Sequence, residues 1–254
     1  MDQTQSQLQM MGIQLRWYHG FQNIFYLREV MHSGIEQAID NFRAKYTDHL
    51  SNQLGDVENN QYYLNGIEMV AASGTETAVE RAQLISDAAA LVFAHTLLDS
   101  AVKDYLKVTF WLDPEAWERL VRNEVIELTI EEIRENKVEE HIRKRMEATY
   151  LNSCAFSLPK KVRQLHEICK SKGLVPKIDT YSYKETELKR LDEAQKSIAN
   201  GNGLNIKATE ENFDSDLRFL FTTAEYCQML VCKRFNLWPP DYIFSRKERF
   251  FDVF

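Results

Sequence analysis

The scarcity of turn-forming residues constrains this chain more than any other feature of its sequence. Its 254 residues include only 9 glycines and 5 prolines, and neither type occurs in residues 75–113 or 115–158. A many-stranded β protein needs turn chemistry about every 8–12 residues. We therefore predict an all-α fold of long helices joined by few turns.

Apolar residues recur at three- and four-residue steps along most of the chain, which is the spacing of a helix with one buried face. The clearest pattern covers residues 75–110, where Thr75 is the predicted N-cap after a break at Gly74. Asp113 and Pro114 suit the N-cap and first position of the next helix. The same reasoning predicts further helices over residues 10–46, 114–148, 158–172 and 184–199, and a final one beginning at Asp214 or Ser215.

Charge, cysteine content and hydropathy narrow the classes of function. A net charge of −7 disfavours a general polyanion binder, because non-specific nucleic-acid affinity comes from neutralising phosphates. The four cysteines form no CxxC pair, so we expect reduced thiols, no bound metal and no cofactor. The first residues do not form a signal peptide, and no long apolar segment suggests a membrane span. We expect a soluble protein of the cytoplasm.

Two pairs of polar residues are better explained by structure than by chemistry. Arg28 and His32 are four residues apart on a predicted helix, so they share one face, and we interpret them as a surface pair. Arg134 and His141 are an arginine and a histidine, the residue types of a nuclease-like pair, but they lie in a dense run of charges. Charge runs of this kind are typical of a solvated helix face that carries ion pairs four residues apart.

A third pair, His95 and Asp99, lies on or beside the apolar stripe of residues 75–110. Polar side chains within a core stripe must be hydrogen-bonded or functional, because burying them unpaired is costly. Both a structural role and a site therefore remain open for this pair. Short catalytic motifs such as GxGxxG, GxxxxGK[ST], GxSxG and HExxH are absent from the sequence.

Residues 188–204 resemble the signature of HEPN domains, a superfamily of helical nucleotide-binding and RNA-cleaving domains. That signature reads L-x-R-L-D-x-x-R-N-x-[IV]-[VA]-H-G, and its Arg and His cleave RNA without metal in active members. Residues 91–106 look like an early HEPN helix, and residues 217–231 look like the helix that closes the bundle. The resemblance implies an N-terminal helical extension (1–72), a HEPN-like antiparallel helical bundle (73–236) and an aromatic, basic tail (237–254).

The signature is degenerate at its two chemical positions. Gln195 stands at the Arg position and Asn200 at the His position. Neither side chain titrates near neutral pH, so neither can act as the general acid or base for 2′-OH attack. We therefore expect no intact catalytic residue. The candidate degenerate site comprises Asp192, Gln195, Lys196, Asn200 and Asn202 together with His95 and Asp99. The alternative is that residues 188–204 are simply a helix with an Asn-Gly C-cap.

Three functions are consistent with these observations. The resemblance implies a degenerate HEPN-like protein that binds RNA, a nucleotide or a partner protein, in a toxin–antitoxin or phage-defence setting. The second is a metal-independent ribonuclease that uses other residues, such as His95, Asp99 or Lys196. The third is a helical scaffold without a nucleic-acid role. The resemblance also implies a homodimer with residues 188–204 near its two-fold axis, the commonest symmetry of soluble oligomers.

Overall fold

A computed structural model describes residues 3–54, 61–121, 129–135, 137–170, 184–200 and 213–237. These residues form helices and short connections with no strand among them, which confirms the predicted all-α fold. The helices are α1 (Gln3–Leu54), α2 (Gln61–Leu112), α3 (Pro114–Val121), α4 (Ile130–Arg134), α5 (Val138–Ala155), α6 (Leu158–Lys170), α7 (Glu185–Ala199) and α8 (Phe213–Phe235). Asp113 caps α3 as predicted, since its Oδ1 accepts a hydrogen bond of 3.1 Å from the Ala116 N–H.

Helices α1 and α2 are each 52 residues long and pair as an antiparallel hairpin. Near one end, Trp17 Nε1 donates a 2.7 Å hydrogen bond to Tyr105 Oη. Further along, Arg28 Nε donates to Asp87 Oδ1 at 2.7 Å. At a rise of about 1.5 Å per residue, each helix is about 78 Å long, much longer than the helices that pack on it.

The hairpin has two parts that differ in what covers them. The bundle half comprises residues 3–25 of α1 and 88–112 of α2, against which α6, α7 and α8 pack around one hydrophobic core. Trp17 and Phe21 lie edge-on to Phe221 of α8, with ring centroids 5.4 and 5.5 Å apart. The arm comprises residues 26–54 and 61–87 and continues beyond this core. The predicted boundary at residues 72–73 lies within α2, which is continuous there.

The predicted helix break at Gly74 is wrong, because α2 passes through it without interruption. Thr75 does not cap a helix: its Oγ1 donates a 2.7 Å hydrogen bond to the Ala71 carbonyl in the preceding turn. Gly74 instead lies against the Tyr46 ring of α1, where an added Cβ would overlap ring atoms. Gly74 allows α1 and α2 to approach closely, and the sequence pattern cannot distinguish that role from a helix break.

The predicted single helix over residues 114–148 is also wrong. The structure has α3, α4 and the start of α5 in its place, and a break lies at Thr129. There Thr129 Oγ1 accepts from the Glu132 N–H at 3.2 Å while Glu132 Oε2 accepts from the Thr129 N–H at 2.8 Å. This capping box starts α4, and it competes with continuation of the upstream helix.

Helix α2 contains a longer apolar segment than the sequence pattern predicts. Within Asn65–Leu112 an 18-residue window has a mean hydropathy of 1.3, which by length and composition is sufficient to cross a membrane. Half of that window is buried inside the protein, as in a core helix. Hydropathy alone therefore does not distinguish a core helix from a membrane span here.

Candidate functional site

The candidate site is built around one contact between α2 and α7. His95 Nε2 of α2 lies 3.3 Å from Asp192 Oδ1 of α7, and both side chains are buried. The distance is that of an ion pair, but the geometry is not that of a hydrogen bond. The resemblance predicted that these two segments share one bundle, and the contact brings two of the candidate residues together.

Asp99, one turn beyond His95, is held between two lysines. Lys161 of α6 is buried and donates a short hydrogen bond to Asp99 Oδ1. Lys103 Nζ lies 2.8 Å from Asp99 Oδ2, four residues along α2, and is about half exposed. The Asp99 carboxylate is thus saturated by cations on both oxygens.

Asp192 has a second partner on its own helix. Lys196 Nζ donates to Asp192 Oδ2 at 2.6 Å, and the rest of the Lys196 side chain is exposed. We call His95, Asp99, Lys161, Asp192 and Lys196, together with Lys103, the charged cluster. It joins α2, α6 and α7, and its exposed ammonium groups are those of Lys103 and Lys196.

The degenerate signature residues lie on α7 and at its C-terminal end, on the helix that carries Asp192 and Lys196. Gln195 is half-buried and Asn200 is exposed, and within the described part of the chain neither side chain joins the cluster. Asn200 is the C-cap of α7, where its N–H donates to the Lys196 carbonyl at 3.0 Å. It follows Asp192 by two turns, about 12 Å along the axis. Asn202 lies outside the described residues.

Burial determines the protonation behaviour of the cluster. Desolvation lowers the pKa of His95 more than Asp192 and Asp99 raise it, so the ring is neutral at pH 7. Desolvation likewise lowers the pKa of Lys161, against the opposing effect of Asp99. The pKa of Lys103 is raised by its hydrogen bond to Asp99.

This arrangement suits binding better than proton transfer. His95 is buried, with its Nε2 out of contact with solvent, and Asp99 already accepts from two lysines. Lys103 and Lys196 reach solvent, where each can donate to an oxyanion while keeping its carboxylate partner. The described residues contain no group of three side chains suited to a metal ion.

Lys161 was missed by sequence reasoning, although the sequence holds a signal for it. It lies at the helical spacing of Leu158, Leu165 and Ile168, which are buried on one face of α6. A lysine at a core position needs a carboxylate partner. The sequence does not identify Asp99 as that partner, because the two are 62 residues apart.

The other two polar pairs are structural. Arg28 and His32 both bind Asp87 of α2, at 2.7 and 3.0 Å, so they join the two helices of the hairpin rather than lying free on the surface. His141 Nε2 lies 3.1 Å from Glu132 Oε1, across the turn between α4 and α5. Neither pair is part of the charged cluster.

Comparisons with known proteins do not assign this chain to a family. No protein-family model, curated protein or solved structure matches the chain.

Proposed function

We propose that this chain is a catalytically degenerate, HEPN-like helical protein that binds RNA or a nucleotide at the charged cluster. The observation that supports this proposal is the contact of His95 with Asp192, because it brings the signature helix α7 against α2. The two exposed lysines of the cluster then lie on neighbouring helices, at the surface where a phosphate would approach.

The local charge favours an anionic ligand. The cluster holds Lys103, Lys161 and Lys196 against Asp99 and Asp192, with His95 neutral, in a chain whose net charge is −7. Phosphate contacts from lysines supply most of the affinity in non-specific nucleic-acid binding. A small basic site on an acidic protein suits a short single strand or a nucleotide better than a long duplex.

Binding is favoured over cleavage by the chemistry of the residues present. Gln195 and Asn200 offer neutral hydrogen bonds to a phosphate or a base but cannot move a proton at neutral pH. The ribonuclease alternative would have to use His95 or Asp99, which are buried or paired. Lys196 remains, and it supplies charge without the bidentate geometry of an arginine.

Fluorescence anisotropy with a labelled single-stranded RNA tests the proposal. Lys103→Ala combined with Lys196→Ala is expected to weaken binding about 10-fold and to reduce the salt dependence of the affinity, since two phosphate contacts are lost. Lys144→Ala is the matched control. Lys144 also pairs with an acid four residues away, at 2.8 Å, and is 62% exposed against 58% for Lys196.

Each outcome separates the candidate functions. Equal loss of affinity in the control variant would mean general electrostatic attraction rather than a site. No RNA or nucleotide binding by the unmodified protein would reject the proposal and favour the helical scaffold. Purification from the native host, followed by identification of bound RNA and protein, would test the toxin–antitoxin or phage-defence setting.

A further inference from the structure

The hairpin exposes several large apolar side chains near the junction of the bundle half and the arm. We call the surface that carries them the outer face. Its members are Tyr26, Leu27, Val30 and Met31 of α1 and Ile85 and Phe93 of α2, all about half exposed or more. Tyr26 is 60% and Phe93 is 66% exposed, whereas the large apolar residues of α7 are all buried or half-buried.

The outer face lies on the side of the hairpin away from the core. With 3.6 residues per turn, Val30 is rotated about 180° around α1 from Phe21, which contacts α8. Phe93 is rotated about 160° around α2 from Leu91, a fully buried core residue. The contact of Gly20 with Leu97 sets the register that brings the turns carrying Tyr26 and Phe93 alongside each other.

The area of this surface is that of an interface core. An aromatic side chain presents about 150–250 Å², so Tyr26 and Phe93 each leave about 100–150 Å² in water. The six residues together expose on the order of 600 Å², at the upper end of what a typical monomer shows in one patch. A standard interface buries about 800 Å² on each partner.

The distribution of charge indicates a second copy of this chain as the partner. In the arm, residues 26–52 and 65–87 carry eight acidic and four basic side chains. Apart from the members of the charged cluster, the bundle half, residues 3–25 and 88–112, carries one acidic and two basic side chains. An antiparallel pairing of two outer faces opposes the acidic arm of each copy to the basic bundle half of the other. A parallel pairing would oppose the two acidic arms.

We propose that the protein is a homodimer in which the outer faces of two copies pack together, antiparallel, about a two-fold axis near Val30 and Ala89. This places the axis on a different face of α2 from His95, whereas the family resemblance predicted an axis at residues 188–204. The charged cluster of each copy stays open to solvent. The dimer does not depend on the ligand proposed for that cluster.

Light scattering coupled to size exclusion tests the interface. The full chain has a mass of 29.8 kDa, and we expect twice that mass at tens of micromolar protein. Phe93→Arg is expected to give the monomer mass, because a two-fold interface contains each substitution twice and loses roughly 100-fold or more in affinity. Leu151→Arg, at a residue of α5 that is similarly exposed, is the control and should remain dimeric.

Cysteine cross-linking tests the antiparallel alignment. Val30→Cys should form a disulfide-linked dimer under mild oxidation, because the axis brings it next to its own copy. Leu8→Cys lies on the same face 22 residues away, so the two copies would be about 65 Å apart and should not cross-link. Cross-linking by both variants, above the level of the unmodified chain, would overturn the proposed alignment.

Three other results would overturn the interface itself. The unmodified chain could be monomeric at tens of micromolar protein. It could be a dimer that Phe93→Arg leaves intact, which would place the contact elsewhere, for example at α7. It could be a monomer that cosediments with phosphatidylglycerol–phosphatidylethanolamine vesicles through Phe93, which would assign the outer face to a membrane.

Discussion

The two halves of the hairpin use the same two helices and reach different degrees of burial. In the bundle half, α1 buries Trp17 and Phe21 completely, because α8 covers the groove between α1 and α2. In the arm, α1 has no fully buried side chain among residues 26–52, although its apolar spacing continues. Helical periodicity therefore shows which face can be buried, while a third layer determines whether it is.

The ion pairs of the bundle half and of the arm also differ in how far they are buried. In the bundle half, Lys161 is removed from water and depends on Asp99. At the start of the arm, Arg28 binds Asp87 and also Asp214 of α8, at 2.7 and 2.9 Å, with part of each contact open to solvent. The buried pair of Lys161 with Asp99 should matter for folding, whereas solvent-exposed ion pairs should matter little.

The largest expected effect compares two phenylalanines on α1. Phe21→Ala removes a fully buried ring and should lower the free energy of unfolding by about 3–5 kcal/mol, from lost transfer energy and a residual cavity. Phe42→Ala, in the arm, removes a ring that is 46% exposed and should cost about 1 kcal/mol or less in the monomer. Urea denaturation of both variants measures the difference. Equal costs would mean that the arm has a core of its own.

A smaller effect compares two aspartates on α2. Asp99→Ala leaves the buried Lys161 ammonium without its partner and should cost about 2–4 kcal/mol. Asp104→Ala breaks an exposed pair with Arg16, 2.7 Å long, and should cost about 0–1 kcal/mol. The same denaturation experiment applies. The additional change Lys161→Met should recover stability in the Asp99→Ala background, and a failure to do so would assign the loss to another contact.

Much of the fold was predictable, because it depends on local patterns. The spacing of apolar residues predicted α7 to within a residue, and Asp113 and Pro114 predicted the start of α3. The errors occur where a local pattern has two physical meanings. Gly74 breaks a helix or admits a neighbouring ring, and only the position of Tyr46 decides between them. No local sequence pattern encodes where Tyr46 lies relative to Gly74.

The candidate site was predictable in part for the same reason. His95 and Asp99 were predicted as candidates because polar residues within an apolar stripe need partners. The structure supplies those partners from α6 and α7, at separations in sequence that no periodic pattern encodes. Whether Gln195 and Asn200 bind a ligand beside the cluster remains a prediction of the resemblance.

A third prediction concerns pH. The folded-state pKa of His95 is lowered by burial, so the unfolded chain binds more protons between that pKa and about 6.5. Stability is therefore full above pH 6.5 and falls as pH decreases through the lowered pKa. The pKa of His166 is also lowered by burial and adds to the same slope. His95→Gln should flatten the loss of stability between pH 7.5 and 5.5, measured by urea denaturation.

The control for this prediction is on the surface. His19→Gln removes an exposed imidazole that hydrogen-bonds to Gln22 at 3.0 Å, so a change in slope that it shares with His95→Gln is not due to the buried ring. An unchanged slope in His95→Gln would show that His166 or the carboxylates dominate. A slope of opposite sign in the unmodified chain, with stability rising toward pH 5.5, would mean that Asp192 and Asp99 outweigh desolvation at His95.

The smallest expected effect is on RNA cleavage, for which we predict none at the signature position. Cleavage needs a base for the 2′-OH proton, worth about 10²–10⁴ in rate, and charge stabilisation worth about 10²–10³ for each good donor. Gln195 and Asn200 provide neither, and Lys196 is already paired with Asp192. An RNase assay of the purified protein should therefore show no activity that Gln195→Ala removes.

The double change Gln195→Arg with Asn200→His makes that result informative. It restores the residue types of the signature, on a helix whose contact with α2 through Asp192 is untouched. Cleavage by the double variant alone would mean that the site keeps the geometry of an active enzyme and lacks only its chemistry. Cleavage by the unmodified protein that Gln195→Ala abolishes would contradict the degenerate-site prediction. If neither form cleaves or binds RNA, the HEPN resemblance extends no further than architecture, and the outer face of the hairpin becomes the main candidate for function.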